Sequence, residues 1–203
     1  EYIGDQILLN LWGSRLSYID KKLKRIFDVI FSLIFIFVSS PILLVTYFSI
    51  KLTSSKKVFY SQERNGLNGK KFQIFKFRTM HVSDKGDSIN LIQTTKDDPR
   101  VTRIGKFLRK WSIDELPQLF NVLAGDMSIV GPRPHAIIHN EIYRKKISGY
   151  MQRHGFKPGI TGLAQIEGWR GETREINLME KRINADLRYM NNWSIFLDFK
   201  IFF

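Results

Sequence analysis

The chain contains no cysteine, which excludes disulfide bonds, thiol catalysis and zinc sites built from cysteine. Acidic residues are few: 19 Asp and Glu stand against 32 Lys and Arg, and the formal net charge is +13. This excess favours polyanionic partners, namely nucleic acid, anionic lipid or nucleotide phosphates. A length of 203 residues suits one ordinary domain with a core, or one domain with appendages. Position 1 is not methionine and an aromatic run reaches position 203, so we expect both ends to continue in a longer chain.

Long apolar runs are also missing, apart from residues 26–50, where the sole charged residue is Asp28. At ~1.5 Å per residue these 25 residues would form a helix of roughly 37 Å, long enough to cross a hydrocarbon core of ~30 Å. A run that is apolar on all sides indicates a membrane helix rather than a helix in a soluble core. No small-residue cleavage site follows the run, which argues against a signal peptide.

Ser40 and Pro41 fall near the middle of this run, where proline removes a helical hydrogen bond and kinks or breaks the helix. Basic residues flank the run on both sides, whereas a spanning helix usually has its excess of Lys and Arg on the cytoplasmic side. For residues 20–57 we therefore predict a re-entrant membrane helix that breaks at Ser40-Pro41 and returns to the same face. Residues 1–19 are interpreted as a connector from a missing N-terminal region. The flanking cations are Lys21, Lys22, Lys24, Arg25, Lys51, Lys56 and Lys57.

Residues 58–62 and 72–80 have strand composition and enclose a turn-forming stretch, which predicts a β-hairpin. Period-two alternation places Lys76 and Arg78 on one face, roughly 7 Å apart, although two cations on a solvated face would give the same pattern. The polar residues 81–99 are interpreted as a loop.

Two later segments have helical periodicity, residues 101–111 and 173–190. The first has an apolar stripe ending at Trp111 and cations elsewhere, which is typical of a helix lying in a membrane interface. A helix packed on a soluble core with a cationic outer face would look the same. Residues 193–203 are aromatic, which is compatible with the aromatic belt of a membrane interface.

Residues 111–135 carry the densest chemistry, because Asp114 and Glu115 are adjacent carboxylates at the predicted start of a helix. One interpretation is a capping box formed by Ser112 and Glu115. The other is an active site: Pro117 indicates distorted backbone next to the acids. Two arginines, Arg109 and Arg133, also bracket the pair, as a phosphorylated substrate would require.

Two further patterns could bind ligands. His135 and His139, four residues apart and near Glu141, could be part of a metal site, but no third ligand follows at convincing spacing. Residues 153–171 hold five glycines among cations and could approach a phosphate closely, as phosphate-binding loops do. This segment matches no nucleotide-binding fingerprint. Its candidate substrate-binding residues are Lys157, Gln165 and Arg170.

Taken in order, these motifs resemble the catalytic domain of bacterial monotopic phosphoglycosyl transferases, the polyprenyl-phosphate hexose-1-phosphate transferases that begin exopolysaccharide, capsule and O-antigen assembly. The resemblance covers about residues 20–203, and residues 135–171 resemble in particular the undecaprenyl-phosphate glucose phosphotransferases. It rests on KRIFDVI, Ser40-Pro41, KFRTM, SIDELPQLFNVLAGDMS, GPRP and KPGITGLAQIEGWRG.

The resemblance implies that Asp114 is the nucleophile that attacks the β-phosphorus of a UDP-hexose. This step would release UMP and leave an aspartyl phosphosugar, which undecaprenyl phosphate then takes. Glu115 would bind Mg²⁺, a hard ion that suits carboxylate and phosphate oxygens. The phosphate charge would be neutralised by Lys76, Arg78, Arg109 and Arg133.

We accordingly expect an α+β, mostly helical fold with a re-entrant membrane helix, a small β-hairpin and amphipathic helices at the membrane surface. Residues 58–203 would form a catalytic domain, truncated at its C-terminus, on the cytoplasmic face of the bacterial inner membrane. The expected partners are UDP-hexose, undecaprenyl phosphate and membrane lipid, without nucleic acid, and a homo-oligomer is left open. The sequence does not decide between glucose and galactose. The alternatives are a nucleic-acid-binding module and a basic, non-catalytic membrane anchor.

Overall fold

The protein, represented by a computed structural model, is described over residues 16–54, 56–81, 98–169, 171 and 176–203. The backbone of two short antiparallel strands, β1 (Tyr2–Ile3) and β2 (Gln6–Ile7), is described as well. The fold is α+β and mostly helical, as predicted. The connector assigned to residues 1–19 stays a prediction, because most of those residues lie outside the described part of the chain.

Helix α1 (Tyr18–Thr53) contains the predicted membrane run. It begins with a capping box in which the Ser17 hydroxyl accepts the backbone N–H of Asp20, while the Asp20 carboxylate accepts the backbone N–H of Ser17. The helix is long and apolar enough to cross a membrane, and only 17 % of its most apolar stretch is buried inside the protein. Large apolar side chains therefore point outward over most of its length, among them Ile30, Leu33, Phe37, Val38, Leu44, Val45 and Phe48.

Pro41 lies inside α1 without interrupting it. A residue with an N–H at this position would donate to the Phe37 carbonyl four residues earlier. The Ser40 hydroxyl donates to that carbonyl instead, at 2.8 Å. The prediction that the helix is interrupted at Ser40-Pro41 is therefore wrong. The Ser40 hydroxyl takes the place of the N–H that proline lacks, and α1 continues through this position. A kink at Pro41 stays a prediction.

Both halves of α1 pack against the same body of the protein. Near the start, Phe27 belongs to the main core with Leu119 and Met127. Near the end, Ile50 packs with Phe77 and partly buried neighbours in a second cluster. A helix that crossed a bilayer between these two points would place the two contacts on opposite faces.

The hairpin follows, with β3 (Phe59–Asn65) paired antiparallel to β4 (Lys71–Phe77). The connection contains a 3-10 turn, Leu67–Gly69, and both Asn68 and Gly69 adopt positive φ angles of 54° and 75°. The predicted hairpin is thus confirmed. Its bounds differ, since β3 is longer than predicted and β4 ends at Phe77.

The remaining elements pack against α1, against the hairpin and against one another. Strands β5 (Ser128–Val130) and β6 (Gly159–Thr161) pair in parallel, with Ser128 opposite Gly159 and Val130 opposite Thr161. The helices predicted over 101–111 and 173–190 are present as α2 (Arg103–Lys110) and α6 (Ile176–Asn191). Of the predicted loop 81–99, residues 82–97 lie outside the described part. In chain order these elements are α2 (Arg103–Lys110), a 3-10 turn (Ile113–Glu115), α3 (Gln118–Ala124), β5 (Ser128–Val130), α4 (Ile137–Tyr143), a second 3-10 segment (Tyr150–Gly155), β6 (Gly159–Thr161), α5 (Leu163–Ile166), α6 (Ile176–Asn191) and α7 (Ile195–Phe202).

Candidate active site

The two adjacent carboxylates, which we call the dyad, lie in the 3-10 turn Ile113–Glu115 rather than in the first turn of α3. Ser112, just before it, adopts a left-handed backbone with φ of 56° and makes no side-chain capping bond. The capping-box interpretation is therefore wrong. Pro117 stands at the N-cap of α3, where its fixed φ suits the start of a helix. The two acids therefore lie in the turn between α2 and α3 and not within either helix.

Glu115 is held between two cations from distant parts of the chain. The Lys76 ammonium on β4 donates to Oε1 at 2.6 Å. The Arg133 guanidinium, in the Gly-Pro-Arg-Pro turn after β5, donates to Oε1 at 2.6 Å and to Oε2 at 3.1 Å. Burial alone would raise the pKa of Glu115, but Arg133 and Lys76 hold that pKa well below its ordinary value. Glu115 is thus ionised and fixed in place.

Asp114 has a different environment, although it is the neighbouring residue. Its side chain is buried, and no other side chain in the described ranges donates a hydrogen bond to it. Burial raises the pKa of this carboxyl, Glu115 adds to the rise, and Lys76 and Arg109 act against it. A backbone N–H of Asp114 itself also bonds this carboxyl, but no described side chain holds it as Lys76 and Arg133 hold Glu115. The two acids therefore suit different roles.

The other predicted cations are placed unequally. The Arg109 guanidinium donates from Nε to the Thr79 hydroxyl at 2.9 Å and lies near enough to lower the pKa of Asp114. Arg78 lies beyond the end of β4, donates to the Lys57 carbonyl at 2.7 Å and stacks over the ring of Tyr60. Tyr60 is also the cross-strand partner of Lys76, so the expectation that Lys76 and Arg78 share a face of the hairpin agrees with this contact. A role of Arg78 at the substrate stays a prediction.

The glycine-rich segment packs against the turn that carries Arg133. A Cβ on Gly159 would lie 2.1 Å from the Gly131 nitrogen, and one on Gly162 would lie 2.3 Å from the Gly131 carbonyl oxygen. Glycine at these two positions lets the two backbone segments touch. The close packing alone explains Gly159 and Gly162, and no bound phosphate is needed to explain them. Gln165 donates to the Ile160 carbonyl at 3.0 Å, within its own segment.

Of the substrate-binding residues predicted in this segment, Lys157 lies away from the dyad. The Lys157 ammonium lies near Gly125, at the far end of α3. Arg170 lies outside the described residues. Their assignment to the substrate stays a prediction.

A buried polar network supports the Arg133 turn from behind. The Nδ1 atom of His135 forms a hydrogen bond with the Tyr150 hydroxyl at 2.6 Å. That hydroxyl donates to the side-chain oxygen of Asn140 at 2.9 Å. Arg153 hydrogen-bonds the same imidazole and donates to the Arg133 carbonyl. Burial and the neighbouring arginines hold the pKa of His135 well below its ordinary value.

The metal site considered for His135 and His139 does not form in the described part of the chain. No group of three or more His, Asp or Glu side chains suited to a metal is present there. His135 is instead committed to the network behind Arg133.

Sequence reasoning missed two residues that build the site. Asn121 is buried in α3, and its side-chain amide hydrogen-bonds two backbone groups of β4. The amide oxygen accepts the Phe75 N–H, and the amide nitrogen donates to the Gln73 carbonyl. Lys24, interpreted as a flanking cation, is buried and ion-paired with Asp198 at 2.6 Å. A polar side chain between apolar Phe120 and Val122 was a signal for Asn121. Nothing in the local pattern distinguishes Lys24 from its exposed neighbours.

Glu115 is the residue predicted to hold Mg²⁺, an ion that prefers oxygen and commonly binds one or two carboxylates together with substrate phosphates and water. A carboxylate has about four acceptor positions. Glu115 uses three of them for Lys76 and Arg133, which leaves about one position for an ion. The residues therefore fit Mg²⁺ where phosphate oxygens complete the set.

The family assignment follows from comparison with known proteins. Residues 19–203 match the model of the bacterial sugar transferase family, and the chain belongs to that family. It is 53 % identical over 203 residues to the UDP-glucose:undecaprenyl-phosphate glucose-1-phosphate transferase of Klebsiella pneumoniae, covering all of this chain and 43 % of that relative. The protein of the same name from Escherichia coli K12 is 49 % identical over 193 residues, covering 95 % of this chain and 41 % of its own.

A third relative is much shorter. The exopolysaccharide production protein PSS of Rhizobium leguminosarum bv. phaseoli is 46 % identical over 187 residues, covering 91 % of this chain and 93 % of that relative. The present chain thus spans less than half the length of the Klebsiella and E. coli proteins but nearly all of the Rhizobium one.

Proposed function

We propose that this chain transfers glucose-1-phosphate from UDP-glucose to undecaprenyl phosphate and releases UMP, as the first membrane step of exopolysaccharide, capsule or O-antigen synthesis. The observation that carries the proposal is the difference between the two acids of the dyad. Asp114 is buried and accepts no hydrogen bond from a described side chain, while Glu115 is held by Lys76 and Arg133. Glucose is preferred to galactose because the Klebsiella and E. coli relatives are named for glucose transfer.

In the first step, an Asp114 oxygen forms a bond to the β-phosphorus of UDP-glucose. The bond from that phosphorus to the bridging oxygen breaks, and the oxygen leaves with UMP. In the second step, a phosphate oxygen of undecaprenyl phosphate attacks the same phosphorus and releases the Asp114 carboxylate. Phosphoryl transfer depends mainly on positioning and on charge neutralisation, for which Lys76, Arg109 and Arg133 are placed around the dyad.

Mg²⁺ is part of the proposal. Glu115, together with the substrate phosphates, would hold the ion, and the bound ion would neutralise phosphate charge. The work of the protein residues does not change: Lys76 and Arg133 keep Glu115 oriented, and burial keeps water from Asp114.

The proposed location is the cytoplasmic face of the bacterial inner membrane, with α1 re-entrant. Support comes from the packing of both halves of α1 on one body and from outward-facing aromatic residues on two other helices. Phe107 on α2 is 58 % exposed, and Trp111 at the C-cap of α2 is 64 % exposed. On α7, Phe196 is 81 % exposed. Such rings suit the membrane interface.

The topology can be tested directly, because the chain has no cysteine of its own. Single cysteines at the exposed positions Lys22 and Lys56 report the two ends of α1. In intact cells, both should react with a membrane-permeant thiol reagent and neither with an impermeant one. Labelling of one position alone by the impermeant reagent would overturn the re-entrant arrangement.

The reaction is tested by trapping the intermediate. The protein is incubated with UDP-glucose and Mg²⁺ in the absence of undecaprenyl phosphate, and intact mass and peptide mapping follow. We expect one added hexose phosphate on Asp114, none on Asp114→Asn, and an unchanged adduct on the control Asp126→Asn. A wild-type protein that turns over without this adduct, or carries it elsewhere, would refute the two-step scheme. A panel of UDP-sugars in the UMP-release assay decides between glucose and galactose.

A further inference from the structure

Arg64 in β3 is a cation to which the proposed reaction assigns no role. Residues alternate between the two faces of a strand, so Tyr60, Gln62 and Arg64 share one face of β3. Lys76 on β4 is the cross-strand partner of Tyr60 and therefore lies on the same face of the hairpin. Phe72, the partner of Arg64, is buried in the main core, so this face is directed towards the protein interior.

The end of β3 packs against the turn that carries Arg133. Arg64 forms an isolated antiparallel bridge with Ala136, which follows Arg133 closely in the chain. The next residue, Asn65, lines one small cavity together with Arg133. Arg133 and Glu115 are both close enough to act on the charge of the Arg64 guanidinium. The Arg64 side chain therefore lies beside the ion pair that Arg133 forms with Glu115.

The Arg64 guanidinium forms no ion pair with any described residue. It donates one hydrogen bond, from Nη2 to the neutral side chain of Gln62 at 2.5 Å, although an arginine has five N–H donors. The adjacent Glu63 lies on the opposite face of β3 and pairs with Lys71 at 2.9 Å. A buried arginine with a structural role is usually paired with an acid, as Arg153 is. Ion pairing within the described part of the chain does not account for Arg64.

Positive charge exceeds negative charge around Glu115 in the described part of the chain. The cations there are Arg64, Lys76 and Arg133, and the carboxylates are those of Asp114 and Glu115. Burial lowers the pKa of Arg64 to about 10, and Arg133 adds to the fall, but the guanidinium still carries its charge at neutral pH. Cations gathered without matching acids repel one another and suit a site for an anionic ligand.

The position of Arg64 indicates which phosphate it can reach. Lys76 and Arg109 are the cations that act on Asp114, whereas Arg64 acts on Glu115. In phosphoryl transfer the attacking and leaving oxygens are roughly in line, on opposite sides of the phosphorus. The α-phosphate, which carries the leaving oxygen, therefore lies on the far side of the β-phosphorus from Asp114. A cation on the Glu115 side of the dyad can meet it there.

We propose that Arg64 binds the α-phosphate of the UDP-sugar and stabilises UMP as it leaves, an inference that rests on the proposed function. When the bond from the β-phosphorus to the bridging oxygen breaks, the electron pair stays on the oxygen that becomes part of UMP. The Arg64 guanidinium donates charge-assisted hydrogen bonds to this phosphate, and no proton is transferred. Undecaprenyl phosphate attacks only after UMP has left, so Arg64 assists the first step and not the second.

Binding of UMP measures this contact without the transfer reaction. The full chain in neutral detergent with Mg²⁺ is titrated with UMP by isothermal titration calorimetry. The variants are Arg64→Gln, Arg64→Lys and the control Lys70→Gln, which removes the same charge from an exposed position of the same hairpin. We expect Arg64→Gln to weaken UMP binding by about tenfold, as loss of one charge-assisted contact would. Arg64→Lys should weaken it at least about threefold, because lysine lacks the planar set of donors.

Lys70→Gln should bind UMP within about twofold of the wild type, because an exposed charge away from the site contributes little. Unchanged UMP binding by Arg64→Gln would overturn the proposal, and so would an equal loss in Lys70→Gln or a wild type that does not bind UMP. If Arg64→Gln fails to fold, Arg64→Lys decides, since unchanged UMP binding by that variant would also overturn the proposal.

The two steps of the reaction separate a contact with UMP from a general structural defect. In Arg64→Gln, formation of the Asp114 adduct from UDP-glucose should slow at least about tenfold. An adduct formed beforehand by long incubation should pass to undecaprenyl phosphate within about twofold of the wild-type rate, because UMP is absent from that step. Equal slowing of both steps, or slowing of the second alone, would overturn the proposal. A wild type without the adduct would refute the proposed function instead, and the UMP titration would still test Arg64.

Discussion

Asn121 joins the helix that follows the dyad to the strand that carries Lys76. Its side-chain oxygen accepts the Phe75 N–H at 3.0 Å, and its side-chain nitrogen donates to the Gln73 carbonyl at 2.7 Å. The residue is only 1 % exposed. Because Lys76 follows Phe75 directly, these two bonds set the position of the ammonium that holds Glu115.

The substitution Asn121→Ala removes both bonds and leaves two strand backbone groups without a partner. A buried group that loses its hydrogen-bond partner costs about 1–3 kcal/mol, so the two groups together cost about 2–6 kcal/mol. We expect the free energy of unfolding to fall by about 3 kcal/mol, in the lower part of the summed range, because both bonds are only partly buried. For a chain of 203 residues, this corresponds to a decrease in Tm of roughly 6–12 °C.

The assay combines thermal unfolding by circular dichroism with UMP release at a temperature where the variant is folded. Asn192→Ala is the control, because its exposed amide donates only to the Arg188 carbonyl of its own helix. The control should change Tm by less than about 2 °C. UMP release by Asn121→Ala should fall at least about tenfold, since a small displacement of Lys76 disturbs the dyad. A folded variant with the wild-type rate would refute the positioning role, and a loss below about 1 kcal/mol would refute the stability argument.

Three further predictions follow from the charged groups and from α1. Lys24→Met should lower Tm by roughly 8–15 °C, because Asp198 is left buried without its cation; a change below about 2 °C would contradict the buried pair. The rate of UMP release should fall with decreasing pH at a midpoint above that of an ordinary aspartate, because burial raises the pKa of Asp114 and only the ionised form attacks. Lys76→Gln should move this midpoint higher still, since Lys76 lowers that pKa, and a downward shift would count against the dyad electrostatics. Pro41→Ala should shift α1 towards spanning, detected as partial labelling of one end by an impermeant thiol reagent; unchanged labelling would contradict a role for Pro41 in topology.

The elements that could be predicted from the sequence are those with a local signal. The hairpin has turn residues between two strand-like runs, and α6 has clear helical periodicity, so both are present with small errors at their ends. The conformation of the dyad could not be predicted in the same way. Ser112 adopts a left-handed backbone that its residue type does not favour, and tertiary contacts of Glu115 with Lys76 decide the outcome.

Charge was the less predictable part of the site. Net charge does not distinguish a cation that faces a ligand from one that satisfies the protein interior. Lys24 and Arg153 are both buried in ion pairs with aspartates, and Arg25 caps a helix. Lys76 and Arg133, by contrast, meet at Glu115 from segments 57 residues apart, as their positions in the sequence give. Only the fold shows which cations belong to the dyad.

The same interior contacts join the membrane helix to the dyad. Lys24 donates to the Val130 carbonyl at 2.9 Å, and Asp28 accepts the Ile129 N–H at 2.9 Å. The first turns of α1 are therefore hydrogen-bonded to two neighbouring residues of β5. The chain then passes through Gly131 and Pro132 to Arg133, whose guanidinium holds Glu115. Because these bonds are buried, a displacement of α1 relative to β5 would expose charged groups and is costly. In the proposed re-entrant arrangement, the depth of α1 in the bilayer would therefore set the position of Arg133, and with it the position of the carboxylate pair relative to the membrane surface.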